Sequence, residues 1–219
     1  MRDVADAETE VTVGVDEAGK GAVLGSMFVA AVAYPDELEL AVGDSKELAP
    51  DHREELAARI REACDVAVVE VTADAIDDVL DDDVTMNDLV LARHAEAVRR
   101  LDAGIEVSVA ADASDVDAER FERRLASRVE PDVTAEHGAE DAFDAVAAAS
   151  IVAKVERDDH IATHGCGSGY PSDPETKQYI EETIRDTGTP PPIARWSWST
   201  TRDAVERLAQ SELGDFGDE

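Results

Sequence analysis

The hydrophobic residues of this chain fall into short runs whose spacing separates strands from helices. Val11 to Val15 and residues 26–34 are apolar runs on either side of a glycine-rich turn, which predicts a hairpin. Enrichment in β-branched residues predicts a third strand from Val66 to Val71. Two further apolar runs, Ile105 to Ala111 and Val133 to Glu136, predict a fourth and a fifth strand.

The segments between and after these strands have helical spacing. From Met86 to Leu101, for example, apolar residues such as Val90 and Ala97 recur near the helical period. The predicted helices are 52–63, 86–101, about 117–128, 142–157, near 174–186 and near 201–210. Strands that first cluster and later alternate with helices predict an α/β fold with a mixed sheet covered by helices. We interpret residues 1–209 as one domain and residues 210–219 as a polar, acidic tail.

The charge balance changes the expected environment of the protein. Among 219 residues, 20 Lys and Arg oppose 52 Asp and Glu, for a net charge of −32, while 43% are hydrophobic, so the chain should fold. Such charge repels nucleic acid in dilute buffer, but molar salt screens it, so we expect a cytosol of molar salt. Cys64 and Cys166 give no disulfide framework, and no leader or membrane span is evident, which favours a cytoplasmic protein.

A glycine-rich segment at residues 14–21 nearly matches a phosphate-binding loop, but its last position, Gly21, lacks the required hydroxyl. The adjacent acids Asp16 and Glu17 and the strand that follows also argue against a nucleotide triphosphate. Alternatively, the two acids are oxygen ligands for Mg²⁺ or Mn²⁺, and Gly19, Lys20 and Gly21 approach a substrate phosphate or sugar. A tight hairpin turn with solvated acids explains the segment equally well.

Several motifs in a fixed order resemble one known family, ribonuclease HII (type 2 ribonuclease H), in its archaeal form. Val13 to Met27 resembles the N-terminal signature of that family. The other matching segments, in chain order, are 43–48, 111–117, 135–137, 148–158, 167–174 and 195–198. The resemblance covers about residues 11–202 and, together with the charge, indicates a protein of a halophile.

The resemblance implies a ribonuclease H-like fold, with a five-stranded mixed sheet flanked by helices and additional C-terminal helices. It also implies an endoribonuclease that hydrolyses RNA in RNA–DNA hybrids and at ribonucleotides embedded in duplex DNA. The cut would fall 5′ of the ribonucleotide and leave a 3′-hydroxyl and a 5′-phosphate, by two-metal-ion catalysis with Mg²⁺ or Mn²⁺. The family further implies a monomer. A hybrid-binding protein that no longer cleaves, or another nuclease of the superfamily, is the alternative.

Four acids are the expected catalytic residues and metal ligands. By resemblance, Asp16, Glu17 and Asp112 match three of them. The fourth family acid precedes the Ala-Ala-Ser helix, and counting back without a gap places Glu140 there, with Asp141 as the alternative. An Asp after a strand also initiates turns, but Asp115 and Asp117 are better caps for the next helix, which favours Asp112 as a ligand.

Recognition of RNA requires a contact with the 2′-hydroxyl. The resemblance assigns that contact to the Gly19-Lys20-Gly21 backbone, although Lys20 stands where the family usually has arginine. Tyr170 would stack near the following deoxyribose. The remaining candidate phosphate contacts are Lys46, Lys154 and Arg157, for which surface ion pairs are the alternative, and Ser45 and Ser150, for which helix caps are the alternative.

The acidic tail carries one more motif. Gln210, Leu213 and Phe216 fit the Gln-x-x-aliphatic-x-x-aromatic peptide that docks replication and repair enzymes on the sliding clamp. The second aromatic residue of that peptide is absent, because Gly217 follows Phe216. A frayed helix end with two apolar residues is the alternative interpretation.

Overall fold

A computed structural model describes residues 11–42, 49–80, 84–101 and 107–215, with side chains described up to Gln210. The strands within these residues are β1 (Val11–Ala18), β2 (Met27–Pro35), β3 (Asp65–Val71), β4 (Ser108–Asp112) and β5 (Asp132–Glu136). The helices are α1 (Pro50–Ala63), α2 (Ala73–Leu80), α3 (Met86–Arg100), α4 (Ala118–Ala126), α5 (Asp144–Ala162), α6 (Pro174–Thr187) and α7 (Ser199–Asp215). A short 3-10 helix, Ala139–Asp141, precedes α5.

The described strands form one mixed five-stranded sheet in the order β3-β2-β1-β4-β5. β1 pairs in parallel with β4, and β4 pairs in parallel with β5. Crossover connections are required between parallel strands: α1, α2 and α3 lie between β1 and β4 in the chain, and α4 lies between β4 and β5. The predicted α/β class and mixed five-stranded sheet are therefore confirmed. None of the helices in the described ranges combines the length and apolar character needed to cross a lipid bilayer.

The chain divides into two compact units. Of the described residues, the first unit contains those within 11–17, 29–69 and 90–155, and the second contains those within 18–28, 70–89 and 156–215. The first unit therefore contains most of the sheet, together with α1, α4 and most of α3 and α5. The second contains the glycine-rich turn, α2, α6 and α7.

Close packing in the first unit fixes α5 against β1. A Cβ added at Gly14 would lie 2.0 Å from the carbonyl carbon and oxygen of Ala145, so only glycine allows this approach. The first turns of α5 are built of small buried residues, including Ala147, Ala148 and Ala149. Because backbone and helix approach so closely, side chains further along α5 reach the end of β1.

The second unit has its own hydrophobic core, formed by residues of the glycine-rich turn, α5, α6 and α7. Its buried members include Leu24, Ile161, Ile180 and Ala204, and Trp198 packs against them. This core holds the turn that precedes β2.

Helix α6 begins at a side-chain cap, since the Asp173 carboxylate accepts a hydrogen bond from Glu175 N at 2.9 Å.

Candidate active site

Two acids lie side by side where parallel strands end. The register of β1 and β4 pairs Val15 with Ala111, so the next residues are Asp16 and Asp112. The carboxyl ends of parallel strands meet at the same edge of a sheet, which brings acids from distant parts of the chain together. The sequence-predicted pairing of Asp16 with Asp112 is thus present in the fold.

The Asp16 carboxyl group is almost fully buried, with 6% of the residue exposed. Burial raises its pKa well above the ordinary value, and the negative charges of Glu17 and Asp112 raise it further. Hydrogen bonds from the Ser150 hydroxyl and from Glu17 N, the latter at 2.7 Å from Oδ1, lower the pKa but do not cancel the burial. An opposite charge at this position would therefore be strongly favoured.

Ser150 on α5 connects Asp16 with Glu140. Its single hydroxyl proton is shared between the two carboxylates: Ser150 donates to Glu140 Oε2 at 2.9 Å, and its hydrogen bond with Asp16 lowers the pKa of that carboxyl group. Lys154, one turn further along α5, places its Nζ 3.6 Å from the same Glu140 oxygen. Asp141 is exposed. The geometry thus places Glu140, rather than its exposed neighbour, against the serine that also contacts Asp16.

Asp112 is held by backbone donors. Its Oδ1 accepts hydrogen bonds from Gly138 N at 2.7 Å and Ala139 N at 3.1 Å. Gly138 adopts the left-handed conformation, with φ of 69°, which only glycine adopts without strain and which turns both N–H groups towards the carboxylate. Asp117 caps α4 by accepting from Arg120 N at 2.9 Å, so of the two predicted caps Asp117 is confirmed, whereas Asp115 accepts instead from the Arg120 side chain.

Among the described residues, Glu17 contacts side chains that the sequence alone did not indicate. His94 Nε2 lies 2.8 Å from Glu17 Oε2, and the Ser114 hydroxyl donates to Oε1 at 2.8 Å. Consecutive strand residues point to opposite faces, so Glu17 meets a different set of neighbours from Asp16. The sequence contains one signal for His94: it shares a helical face with the apolar residues Val90 and Ala97, which indicates a buried side chain.

The donor chemistry of this cluster fits a divalent cation. Four carboxylates supply the hard oxygen ligands that Mg²⁺ and Mn²⁺ prefer, and repulsion among three of them raises the pKa of Asp16. Among the residues that the structure describes, no group of three or more His, Cys, Asp and Glu side chains surrounds a single ion position. The carboxylates are instead oriented by the donors of the protein, such as Ser150, His94 and Gly138 N.

The glycine-rich turn lies in the second unit, where its backbone is tightly constrained. Gly19 has φ of 86°, and a Cβ there would come within 3.0 Å of the Ser26 carbonyl oxygen. Lys20 donates from Nζ to Asn87 Oδ1 at 2.8 Å. The turn is followed by β2 rather than by a helix, which agrees with the exclusion of a nucleotide-triphosphate loop.

A buried arginine stabilises this turn through hydrogen bonds to its backbone carbonyl groups. The Arg195 guanidinium donates to Gly25 O from Nε at 3.0 Å and from Nη2 at 2.9 Å, and to Lys20 O from Nη1 at 3.0 Å. Burial lowers the pKa of Arg195 to about 10, so the side chain stays charged at neutral pH. The central guanidinium carbon of Arg195, Cζ, also lies 4.9 Å from the centre of the Trp198 ring.

Tyr170 borders the turn on the same unit. A Cβ at Gly21 would lie 4.0 Å from Tyr170 Cε1, so open space remains between the turn and the ring. The Arg157 guanidinium stacks on the Tyr170 ring, with Cζ 4.5 Å from the centre of the ring. The same guanidinium donates to the Ser168 carbonyl oxygen and to Asp158 Oδ1, the latter at 3.0 Å. Arg157 is thus engaged in supporting Tyr170.

Some predicted site residues lie outside the described residues. They are Ser45, Lys46 and Phe216. Gln210 is exposed on α7, and the backbone of Leu213 continues that helix, which extends to Asp215 rather than ending near residue 210.

Comparison with known proteins identifies relatives over nearly the whole chain. The sequence model of the family described as Ribonuclease HII matches residues 13–201. A ribonuclease HII of Halobacterium salinarum is 49% identical, over 93% of this chain and 98% of the relative. The ribonuclease H2 of Pyrococcus horikoshii has a TM-score of 0.83 at 34% identity, covering 91% of this chain and 99% of that one.

A third relative was solved in a complex. The ribonuclease HII of Archaeoglobus fulgidus, in its structure with PCNA, has a TM-score of 0.80 at 38% identity, covering 88% of this chain and 96% of that one.

The fold, the acids at the strand ends and these relatives define an enzyme of the ribonuclease H class, whose members depend on divalent metal ions and act on RNA–DNA hybrids. The chain belongs to the ribonuclease HII family. Relatives from salt-requiring archaea agree with the halophilic origin that the net charge indicates.

Proposed function

We propose that this ribonuclease H cleaves RNA in RNA–DNA hybrids and at single ribonucleotides embedded in duplex DNA. The cut falls on the 5′ side of the ribonucleotide and leaves a 3′-hydroxyl and a 5′-phosphate. Asp16, Glu17, Asp112 and Glu140 hold two divalent cations, Mg²⁺ or Mn²⁺. The observation that carries the proposal is the position of the buried Asp16 carboxylate beside Asp112, with Ser150 joining it to Glu140.

The residues of the chain orient the reacting groups. Backbone donors at residues 138 and 139 fix Asp112, and Ser150 fixes the separation of Asp16 and Glu140. Lys154 supplies a cation beside Glu140, where an anionic phosphodiester is to be bound. When bound, the divalent cations activate water and stabilise the leaving oxygen.

The turn at Gly19-Lys20-Gly21 recognises the 2′-hydroxyl through its backbone, and Tyr170 stacks on the sugar that follows. The rigidity of the turn supports this role, since Arg195 holds the carbonyl groups of Lys20 and Gly25. A turn fixed before binding loses little conformational entropy when the substrate arrives. The Arg157 guanidinium behind Tyr170 orients that ring in the same way.

The decisive test is cleavage of a labelled DNA duplex that contains one ribonucleotide, in Mg²⁺ and molar KCl. We expect a single cut, and the fragment upstream of it should end on the 5′ side of the ribonucleotide. Extension of the 3′ end of this upstream fragment by a DNA polymerase would confirm its 3′-hydroxyl. An all-DNA duplex of the same sequence should remain intact. Cleavage 3′ of the ribonucleotide, or of the all-DNA duplex, would contradict the proposal.

Asp16→Asn separates catalysis from binding. The amide keeps the shape of the side chain but removes its charge, so cutting should fall by at least about 100-fold while the thermal melt stays cooperative. A wild type that binds the hybrid but never cuts it would support the alternative of a non-cleaving binding protein. Undiminished activity in Asp16→Asn would refute the assigned metal ligands.

We also propose that Gln210, Leu213 and Phe216 dock the enzyme on the sliding clamp. Gln210 is exposed near the end of α7, and the Archaeoglobus relative was solved with PCNA. A chain that ends at Ala209 should lose binding to the clamp in titration calorimetry, whereas its cutting of a short duplex should not change. Equal binding by the truncated and full chains would exclude this docking site.

A further inference from the structure

His94 is a fully buried histidine whose only described polar contact is a proposed metal ligand. It lies on α3 with 0% of its surface exposed, and its Nε2 is 2.8 Å from Glu17 Oε2. The ring meets Phe121 edge-on, with centroids 5.4 Å apart and planes at 84°. Its second nitrogen, Nδ1, is buried and finds no hydrogen-bond partner among the described residues.

This arrangement is poorly explained by packing. Leaving a buried polar atom without a partner costs about 1–3 kcal/mol, and an apolar ring of similar shape would avoid that cost. As a metal ligand, Glu17 would be ionised, and an ionised carboxylate only accepts hydrogen bonds, so Nε2 would be the protonated nitrogen that donates to it. In the part of the chain that the structure describes, Glu17 is therefore the group that accounts for the polar character of His94.

Ser114 also supports the Glu17 side chain. Its hydroxyl donates to Oε1 at 2.8 Å, while His94 serves Oε2, so each carboxylate oxygen has a donor from a different part of the first unit. Each oxygen can accept more than one interaction, so both stay able to bind a cation. A free glutamate side chain samples many rotamers, and two fixed donors remove most of that freedom.

We propose that His94 is a positioning residue, which holds the Glu17 carboxylate through Nε2–H in the orientation that binds a divalent cation. The inference rests on the proposed function, because it takes Glu17 as a metal ligand. Groups that hydrogen-bond to metal ligands typically change metal affinity or activity by 10–100-fold when they are removed.

The test is Mn²⁺ binding to the full chain in molar KCl, measured from the electron paramagnetic resonance signal of the free ion. Three variants are compared with the wild type: His94→Gln, His94→Asn and His94→Phe. The amide nitrogen of Gln can reach the position of Nε2, whereas that of Asn lies near the position of Nδ1. Gln therefore restores the donor to Glu17, and Asn is a polar control that does not.

We expect His94→Asn and His94→Phe to weaken Mn²⁺ binding by about tenfold or more, and His94→Gln to stay closer to the wild type than either. Thermal melts show which variants fold, and the Gln and Asn pair decides the question if Phe does not. Wild-type affinity in His94→Asn, or a loss in His94→Gln equal to that in His94→Asn, would overturn the inference.

A double-mutant cycle shows whether His94 acts through Glu17. If it does, adding His94→Asn to Glu17→Gln should weaken Mn²⁺ binding no further than Glu17→Gln alone, because the two effects share one contact. Losses that simply add would show that the two residues act independently, which would exclude the positioning role.

The same measurement separates this inference from the proposed function. If Glu17→Gln and Asp16→Asn weaken Mn²⁺ binding but the His94 variants do not, the metal site stands and the positioning role fails. If neither acid variant changes Mn²⁺ binding, the metal site is wrong and the role of His94 fails with it. Cleavage of the ribonucleotide duplex, measured in parallel, reports on the proposed function independently.

Discussion

Glu140 and Asp141 are neighbours in the chain but have opposite surroundings. The Glu140 side chain is 9% exposed, accepts from Ser150 and lies 3.6 Å from Lys154, whereas Asp141 is exposed. A carboxylate enclosed among polar partners near Asp16 is suited to bind a cation, and an exposed one is suited to solvent.

These surroundings predict different effects for matched substitutions. Glu140→Gln should lower the rate of hybrid cleavage by about 100-fold or more, since it removes a proposed metal ligand without changing shape. Asp141→Asn should leave the rate within about twofold, as for most exposed substitutions. Single-turnover cleavage of one hybrid substrate measures both, and the reverse order would transfer the fourth ligand to Asp141.

At the scale of single residues, the sequence identified the acids as candidates but gave no indication of the side chains that contact Glu17. Asp16, Glu17 and Asp112 follow from motifs that are contiguous in the chain. His94 lies 77 residues from Glu17, and no local pattern encodes a partner at that distance. The choice between Glu140 and Asp141 stayed open for a related reason, because it depends on the position of Ser150 on another element.

At the scale of elements, Gly14 controls how β1 packs on α5. A Cβ there would lie within 2.4 Å of three backbone atoms of Ala145 and Val146, and backbone cannot rotate away as a side chain can. Separation of strand and helix would also move Ser150 away from Asp16.

Gly14→Ala should therefore destabilise the protein by about 3 kcal/mol and reduce cleavage at temperatures where it is still folded. Gly21→Ala is the matched control for stability, since its Cβ would meet nothing closer than 4.0 Å. Urea unfolding measures both changes. Similar free energies of unfolding for the two variants would show that β1 and α5 separate easily.

The contribution of Asp173, the N-cap of helix α6, to the stability of the protein depends on pH. Hydrogen bonds from the backbone and hydroxyl of Ser168, and from Glu175 N, lower the pKa of Asp173 to about 2. The pKa is depressed in the folded state, so the stabilisation is complete above the unfolded value of about 4. It is lost as the pH falls from about 4 towards 2.

Asp173→Asn keeps a hydrogen-bond acceptor at the cap but cannot ionise. We expect the wild type to melt a few degrees higher than this variant at neutral pH, with the difference shrinking below about pH 4. Thermal melts between neutral pH and pH 3 follow the change. A difference that stayed constant, or grew, with falling pH would show that the charge of Asp173 contributes nothing.

The long, periodic elements were predictable, and the differences have local causes. β1 continues through Ala18, so Asp16 and Glu17 lie in a strand rather than in the predicted turn. Two acids interrupt the apolar pattern there, which is why the pattern alone ended the predicted strand at Val15. Helix α2 was missed since it is short and buries only Ala73 and Ile76, too few to show a period.

At the scale of the whole molecule, the net charge of −32 should make stability depend on salt. Like charges repel within the folded chain, and molar salt shortens the screening length to about 3 Å. We expect the Tm to rise on the order of 10 °C between low salt and molar KCl. A series of melts in KCl, with sucrose as an uncharged control, tests this, and a Tm that is highest without salt would contradict it.

The scarcity of lysine has a practical consequence. The chain contains four lysines, Lys20, Lys46, Lys154 and Lys177, and the first three are predicted substrate contacts. An amine-reactive reagent therefore has few side-chain targets, each readable by mass spectrometry. Lys177 is exposed on α6 and serves as an internal reference. Protection of Lys20 and Lys154 by a bound duplex would thus yield a footprint of the nucleic acid without a single engineered probe.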